Sequence, residues 1–291
     1  MREAYGRLLP DMRVADLKGK LIVIEGTDGV GRTTQINLLK PWLEELGHAV
    51  IETGVSRSVL AGDGIRRAKE RNSLGSVTQT LFYATDFVDR LEREIVPALR
   101  AGFIVLTDRY IYSLIARASV RGVDPRWIRS IYSVALKPDA VFYLRLGLQQ
   151  LLPRVMFSRG FDYWESGRDL FPALEVYESF CAYQSALLAE FERLSAEYRF
   201  EIVDATFDEK RVFGQLRTGI QRVLEADSRE NGNLSTPSDW QSYQRVNFQQ
   251  AFAAALNGNR LAASASAAAQ LRMPTASGNG NGHAHRSQGD D

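Results

Sequence analysis

The 291-residue sequence contains one cysteine, Cys181. A lone cysteine excludes an internal disulfide framework and fits a reducing compartment. Long apolar runs are missing as well. Nothing approaches the roughly 20 residues of a membrane-spanning helix. The first twenty residues carry scattered charge and no apolar core of a secretory signal. A cytoplasmic protein with no membrane partner is therefore expected. Charge of one sign is also missing, with 36 Lys and Arg against 35 Asp and Glu. That balance gives no global reason to expect a nucleic-acid partner, so any anion site must be local. Lysine itself is scarce, since six Lys and thirty Arg make up the basic set. Of the three histidines, His283 and His285 lie together in a polar tail. A metal pair there is conceivable, but incidental histidines are the simpler explanation.

What is present is an ordinary globular composition, 45% hydrophobic, enough for one large α/β domain. Residues 1–18 read as an irregular arm. Leu21-Ile22-Val23-Ile24 is a short apolar run of the kind buried in a parallel strand. A Gly-rich turn follows, then a helical pattern from Thr33 to Leu46, closed by Gly47. Further strands are expected at Ala49–Ile51, Phe103–Leu106, Ala140–Leu144 and Phe200–Val203. Residues 76–101 read as helical, with a kink at Pro97. Strands alternating with helices predict a parallel sheet covered by helices on both faces. Past residue 226 the composition turns polar. One amphipathic helix is possible over 239–257, and a disordered Ala-, Ser- and Gly-rich end is expected. The expected division is thus 1–18 arm, 19–226 domain and 227–291 extension.

The turn after the first strand reads Gly26-Thr27-Asp28-Gly29-Val30-Gly31-Arg32-Thr33-Thr34. Its spacing follows G-x-x-x-x-G-K-[ST], in which curled backbone points N–H groups at phosphate oxygens. The following helix adds its N-terminal dipole. Strand before and helix after are the context the motif requires, so the fold expected is the P-loop NTPase-type three-layer α/β fold. Thr33 stands as the hydroxyl beside Mg²⁺. Arg32 stands where Lys is usual, and guanidinium is bulkier and forked. Two explanations are open: a tolerated exchange in an arginine-rich working kinase, or a site that binds nucleotide and transfers phosphate poorly.

A second constellation, Asp108-Arg109-Tyr110, follows a buried strand directly. It places a carboxylate and a guanidinium at the carboxyl edge of the sheet, where such folds bind ligands. The carboxylate can act through Mg²⁺ or accept a proton, and the arginine can clamp a second phosphate.

Over residues 20–225 these pieces resemble the thymidylate kinase family. Glu25–Gly31 resembles its E-G-x-D-G-x-G, and Leu81–Phe87 its L-L-F-A-A-D-R helix. Ile95–Gly102 is similar to I-x-P-A-L-x-x-G, and Asp108–Ser113 to D-R-Y-x-x-S. Pro138-Asp139 and Asp204-Ala205 match its later P-D and D-A. The resemblance implies transfer of the γ-phosphoryl of ATP to dTMP, with Mg²⁺, in a homodimer. It implies that Gly26 to Thr34 holds ATP and that Thr33 and Asp108 attend the metal. Asp28 would meet the acceptor's sugar hydroxyl, and Arg109 its phosphate. Tyr83 stands where the family stacks a Phe on the base, with Phe82 the alternative one residue earlier. Ser113 belongs to the acceptor side. Arg57 could reach the acceptor phosphate or lie in solvent. A lid is expected between Arg154 and Leu170, carrying Arg159, Asp162–Glu165 and Arg168. Arg159 is the candidate to steady the transferred charge, or else an exposed helix-end residue.

Two departures concern the base. Phe87 replaces the arginine that donates to a thymine carbonyl in the family, and Ala116-Arg117-Ala118 replaces A-Y-Q. Losing donors that read a base weakens discrimination. Three activities therefore stand: a nucleoside monophosphate kinase acting on dTMP, a nucleotide-binding pseudokinase, and a kinase for another small acceptor.

Overall fold

In the computed structural model, residues 3–10, 12–72, 74–158 and 160–230 are described. The proposed helix over 239–257, the two tail histidines, Arg159 and nearly all of the 227–291 extension lie outside the described residues.

Among the described residues five strands form one sheet: β1 (Lys20–Glu25), β2 (Val50–Gly54), β3 (Ile104–Asp108), β4 (Ala140–Arg145) and β5 (Glu201–Asp204). Their order is β2-β3-β1-β4-β5, and every neighbouring pair is parallel. Parallel neighbours need crossovers, and the helices between the strands supply them. These are α1 (Arg32–Glu45), α2 (Gly62–Glu70), α3 (Ser76–Arg90), α4 (Val96–Arg100), α5 (Ile111–Val120), α6 (Pro125–Ile131), α7 (Leu148–Ser158), α8 (Val176–Tyr198) and α9 (Glu209–Glu230). Helix α9 runs past residue 226, so the polar shift read there falls inside an element.

The apolar run 21–24 is fully buried because both sheet faces are covered. Leu21 and Val23 join the core beneath α3, α5 and α8, whereas Ile22 and Ile24 join the core beneath α1 and α9. Val105 against Leu106, and Tyr143 against Phe142, alternate in the same way. The period of two expected of a strand therefore splits one run between two cores.

Boundaries moved at several points. β3 extends through Asp108, so this carboxylate ends the strand instead of following it. Helix 76–101 does break, but ahead of Pro97: Leu91–Ile95 is a π-helical turn and Val96 donates to the Leu91 carbonyl. Proline supplies no N–H to continue the ladder, and the backbone widens one turn earlier. The arm before β1 contains a 3-10 turn, Val14–Asp16, and an isolated bridge from Ala4 to Leu136, and it is bound to the domain. Tyr5 N–H donates to the Ala135 carbonyl (3.0 Å), and Met12 and Leu17 are buried in the core.

Candidate active site

The carboxyl ends of β1 and β3 lie side by side, with Ile24 paired to Asp108. This register brings the turn after β1 against the turn after β3. Gly29 and Gly31 have φ of 83° and 102°. Gly31 caps α1 in the left-handed region, which disfavours side chains. A Cβ at Gly29 would lie 2.7 Å from Val155 Cγ2. Among the described residues, the N–H groups of Gly29, Gly31, Arg32, Thr33 and Thr34 donate to no protein acceptor. The first turn of α1 contains no acid. The result is a nest of free donors at a helix N-terminus, a ready anion site. Val30 is buried, while Thr33 and Thr34 are exposed.

Arg32 is buried and does not point into solvent. Its Nη1 donates to the carbonyl oxygens of Gly26 (2.6 Å) and Thr27. Its Nε donates to Asp108 Oδ1 at 2.6 Å, and Nη2 lies 3.6 Å from Asp28 Oδ1. A forked guanidinium can serve all these partners together, which a single ammonium cannot. Thr33 Oγ1 donates to Asp108 Oδ2 at 3.3 Å. The hydroxyl and carboxylate assigned to the metal side are therefore adjacent.

Asp28 is the meeting point. It is 2% exposed and ion-paired with Arg109 and Arg117 as well as Arg32. One carboxylate facing three guanidinium groups leaves local positive charge, the environment two phosphates need. Arg109 reaches it from an unusual backbone, with φ of 70°. Its N–H donates to the Ile24 carbonyl (3.0 Å), and its own carbonyl accepts from Thr107 Oγ1 (2.7 Å). Both neighbouring strands thus hold the strained residue in place.

A cleft of about 190 Å³ opens beside Asp28 and Arg109. Tyr83 lines it, and Phe82 does not. Consecutive helical residues diverge by roughly 100°. Phe82 instead faces α2, with Cε1 3.3 Å from where a Cβ on Gly64 would sit. The candidate one residue earlier is thereby corrected. Ser113 lines the cleft, but its hydroxyl donates to Glu25 Oε2 at 2.6 Å. Arg57 is exposed and paired with Glu52 at 2.5 Å, while its neighbours Val55 and Ser56 line the cleft. Phe87 is fully buried against Tyr110 and Tyr132, with ring centroids 5.2 and 5.7 Å away. It faces the core and offers the cleft nothing.

Several residues of the site escaped sequence reasoning. Glu25, fully buried, accepts from Tyr110 N–H (2.8 Å), Ser113 N–H (3.2 Å) and the Ser113 hydroxyl. It fixes the start of α5 against the phosphate loop. Burial pushes its carboxyl up from 4.5, opposed by these hydrogen bonds and by Arg32. An apolar strand ending in an acid was the available signal. Asp86 accepts from Ser56 N–H (3.0 Å), Ser58 N–H (2.9 Å) and Arg90 Nε (3.1 Å), shaping the loop after β2. Arg121 fastens the segment after α7. It donates to Asp169 Oδ2 (2.8 Å), the Tyr183 hydroxyl (2.8 Å) and the Trp164 carbonyl (3.0 Å). Trp164 Nε1 in turn donates to the Lys69 carbonyl (2.9 Å), so this segment spans the cleft from α5 to the end of α2. Ser113, Arg117 and Arg121 recur every four residues, the spacing of one helix face. Of the remaining lid residues, Trp164 and Glu165 line the cleft, and Arg168 donates to the Leu174 carbonyl.

The comparisons with known proteins identify the family. The family model for thymidylate kinase matches residues 24–213. The probable thymidylate kinase 2 of Saccharolobus solfataricus is 37% identical over 209 residues, covering 72% of this chain and 96% of that protein. The thymidylate kinase of Brachyspira hyodysenteriae is 28% identical over 216 residues, covering 73% and 99%. A probable thymidylate kinase of Pyrococcus horikoshii is 34% identical over 145 residues, covering 48% and 71%. The matched region contains the glycine-rich loop, the strand-end Asp108-Arg109 pair and the residues lining the cleft, and the chain belongs to the thymidylate kinase family.

Proposed function

We propose that this chain transfers the γ-phosphoryl of ATP to dTMP, giving dTDP, with the loop after β1 as donor site and the cleft as acceptor site. The observation that carries it is the buried chain of contacts joining the two. Arg32 holds both the loop carbonyls and Asp108, and Asp28 is shared by Arg32, Arg109 and Arg117. Phosphoryl transfer needs two polyanions aligned and neutralised more than it needs covalent help.

Gly26 to Thr34 bind the triphosphate through free backbone N–H groups. Arg109 takes the acceptor phosphate, exchanging its pairing with Asp28 for the ligand, while Arg117 holds Asp28 in place. Asp28 accepts from the sugar hydroxyl. Tyr83 offers its ring to the base. Asp108 stands where the acceptor oxygen and the metal meet. Thr33 and Asp108 are hard oxygen donors 3.3 Å apart, a set suited to Mg²⁺. Among the described residues no cluster of three acidic, His or Cys side chains exists, so phosphates and water would complete the shell. When bound, the ion screens the charge between the phosphates. A homodimer follows from family resemblance, as does a cytoplasmic location. No described helix is long and apolar enough to cross a membrane.

The test is product analysis by anion-exchange chromatography with ATP, Mg²⁺ and a panel of nucleoside monophosphates. dTDP and ADP in equal amounts, abolished by chelating Mg²⁺, are expected. No diphosphate from any member of the panel would sink the proposal. Light scattering of the purified chain tests the dimer.

A further inference from the structure

We infer that the carboxamide of Gln79 reads the base edge of the acceptor, and that this makes the site accept 4-amino as well as 4-oxo pyrimidines. The inference rests on the acceptor-cleft assignment above.

Gln79 lies in the first turn of α3 and is 8% exposed. It lines the cleft together with Ser56, Thr80 and Tyr83. Tyr83 follows it by four residues, so amide and aromatic ring share one helix face. The other buried polar side chains around the cleft are committed. Asp28 is ion-paired, and Thr80 Oγ1 donates to the Ser76 carbonyl at 2.8 Å. Ser113 donates to Glu25, and Arg121 to Asp169, Tyr183 and Trp164. Among the described residues the Gln79 side chain has no hydrogen-bond partner. The Tyr132 hydroxyl also lacks one, but it is sealed from solvent. The amide opens on the cleft and is bonded to no described protein group, so it is available to whatever enters there.

The chemistry of the amide determines what it can recognise. A carboxamide offers one donor and one acceptor side by side. A 4-oxo pyrimidine such as thymine presents a carbonyl and an N3–H, the complement of that pair. A 4-amino pyrimidine such as cytosine presents the reversed pair. Turning the carboxamide by 180° meets either one. A guanidinium at position 87 would have admitted only the carbonyl, because it cannot accept. Here that position is occupied by Phe87, buried in the core. No donor-only group therefore reaches the cleft from position 87.

The experiment compares wild type, Gln79→Met and Gln79→Glu, using dTMP and dCMP as probes with saturating ATP. Thermal melting confirms that both variants fold. For wild type, kcat/KM values for the two probes within about tenfold of one another are expected. In Gln79→Met both acceptor KM values rise by about tenfold, with kcat and the KM for ATP held, because binding common to ground and transition state is lost. Gln79→Glu, which can only accept, leaves the C4 carbonyl of dTMP and the N3 of dCMP unmet alike, so both probes lose about tenfold in kcat/KM. An unchanged acceptor KM in Gln79→Met overturns the inference. So does a wild-type preference for dTMP above about a hundredfold, or no loss of either probe in Gln79→Glu. If wild type phosphorylates no monophosphate, the transfer proposal fails by itself. Calorimetric binding of dTMP and dCMP then decides about Gln79: weaker binding of both to Gln79→Met supports it, and equal or no binding overturns it.

Discussion

The donor loop and the acceptor cleft lie side by side, yet they are built by different means. The proposed donor site is one contiguous stretch, Gly26 to Thr34, rich in backbone N–H groups without a protein acceptor. Positive φ at Gly26, Gly29 and Gly31 gives it its form. The acceptor cleft is assembled from side chains that the sequence scatters from Asp28 to Glu165. Almost every one of its groups is held by a partner from another element. A backbone site tolerates changes in side-chain type and fails when its glycines change. A side-chain site can be re-specified one residue at a time. The two regions therefore answer differently to substitution.

The largest effect is expected where they join. Asp108→Asn removes the carboxylate shared by Arg32 and Thr33, and kcat falls by about 10²- to 10³-fold in steady-state assays, with acceptor KM little changed. A drop confined to KM would place Asp108 on the acceptor side alone. Next comes the fastening of the cleft. Arg121→Ala breaks a buried set of bonds to Asp169, Tyr183 and Trp164, and costs about 3 kcal/mol in denaturant unfolding. Acceptor KM rises while the KM for ATP stays. Equal effects on both KM values would erase the distinction between the two sites. Arg32→Lys is smaller. It keeps one charge but cannot span the loop carbonyls and both aspartates, so kcat falls by about tenfold at unchanged ATP affinity. A gain in rate would show Arg32 to be a defect of the donor site and not its link to the acceptor.

The smallest effect concerns Glu25, which lies beneath both. Burial raises its folded value above the unfolded 4.5, so the native state holds its proton to higher pH. Its contribution to stability is complete below about pH 4.5 and is lost as pH rises through the folded value. Glu25→Gln should flatten that part of the stability profile, measured by urea denaturation from about pH 4 to about pH 8. An unchanged slope would mean that the hydrogen bonds from Tyr110 and Ser113 offset the burial.

Legibility in the sequence followed the same division. The strand before the loop, the glycines, the helix after it and the Asp108-Arg109 pair were all readable, because each is local. The alternating parallel fold was readable for the same reason. Tyr83 could not be separated from Phe82 until the rotation of α3 against the cleft was known. Arg117 stood out only as a departure, since its partner Asp28 lies 89 positions away. Gln79 gave no signal at all, because an amide in a helix becomes informative only when its surroundings leave it unpaired.

The sequence by itself determined the phosphate nest and the order of strands and helices. These rest on backbone preferences and short-range periodicity, which neighbouring residues settle among themselves. The tertiary structure alone decided that Arg32 bridges two aspartates, that three arginines share Asp28, and that Phe87 turns inward while Gln79 lines the cleft. Those outcomes depend on which distant groups the parallel register of β1 and β3 brings within hydrogen-bonding reach, and on which polar atoms burial then leaves to find a partner.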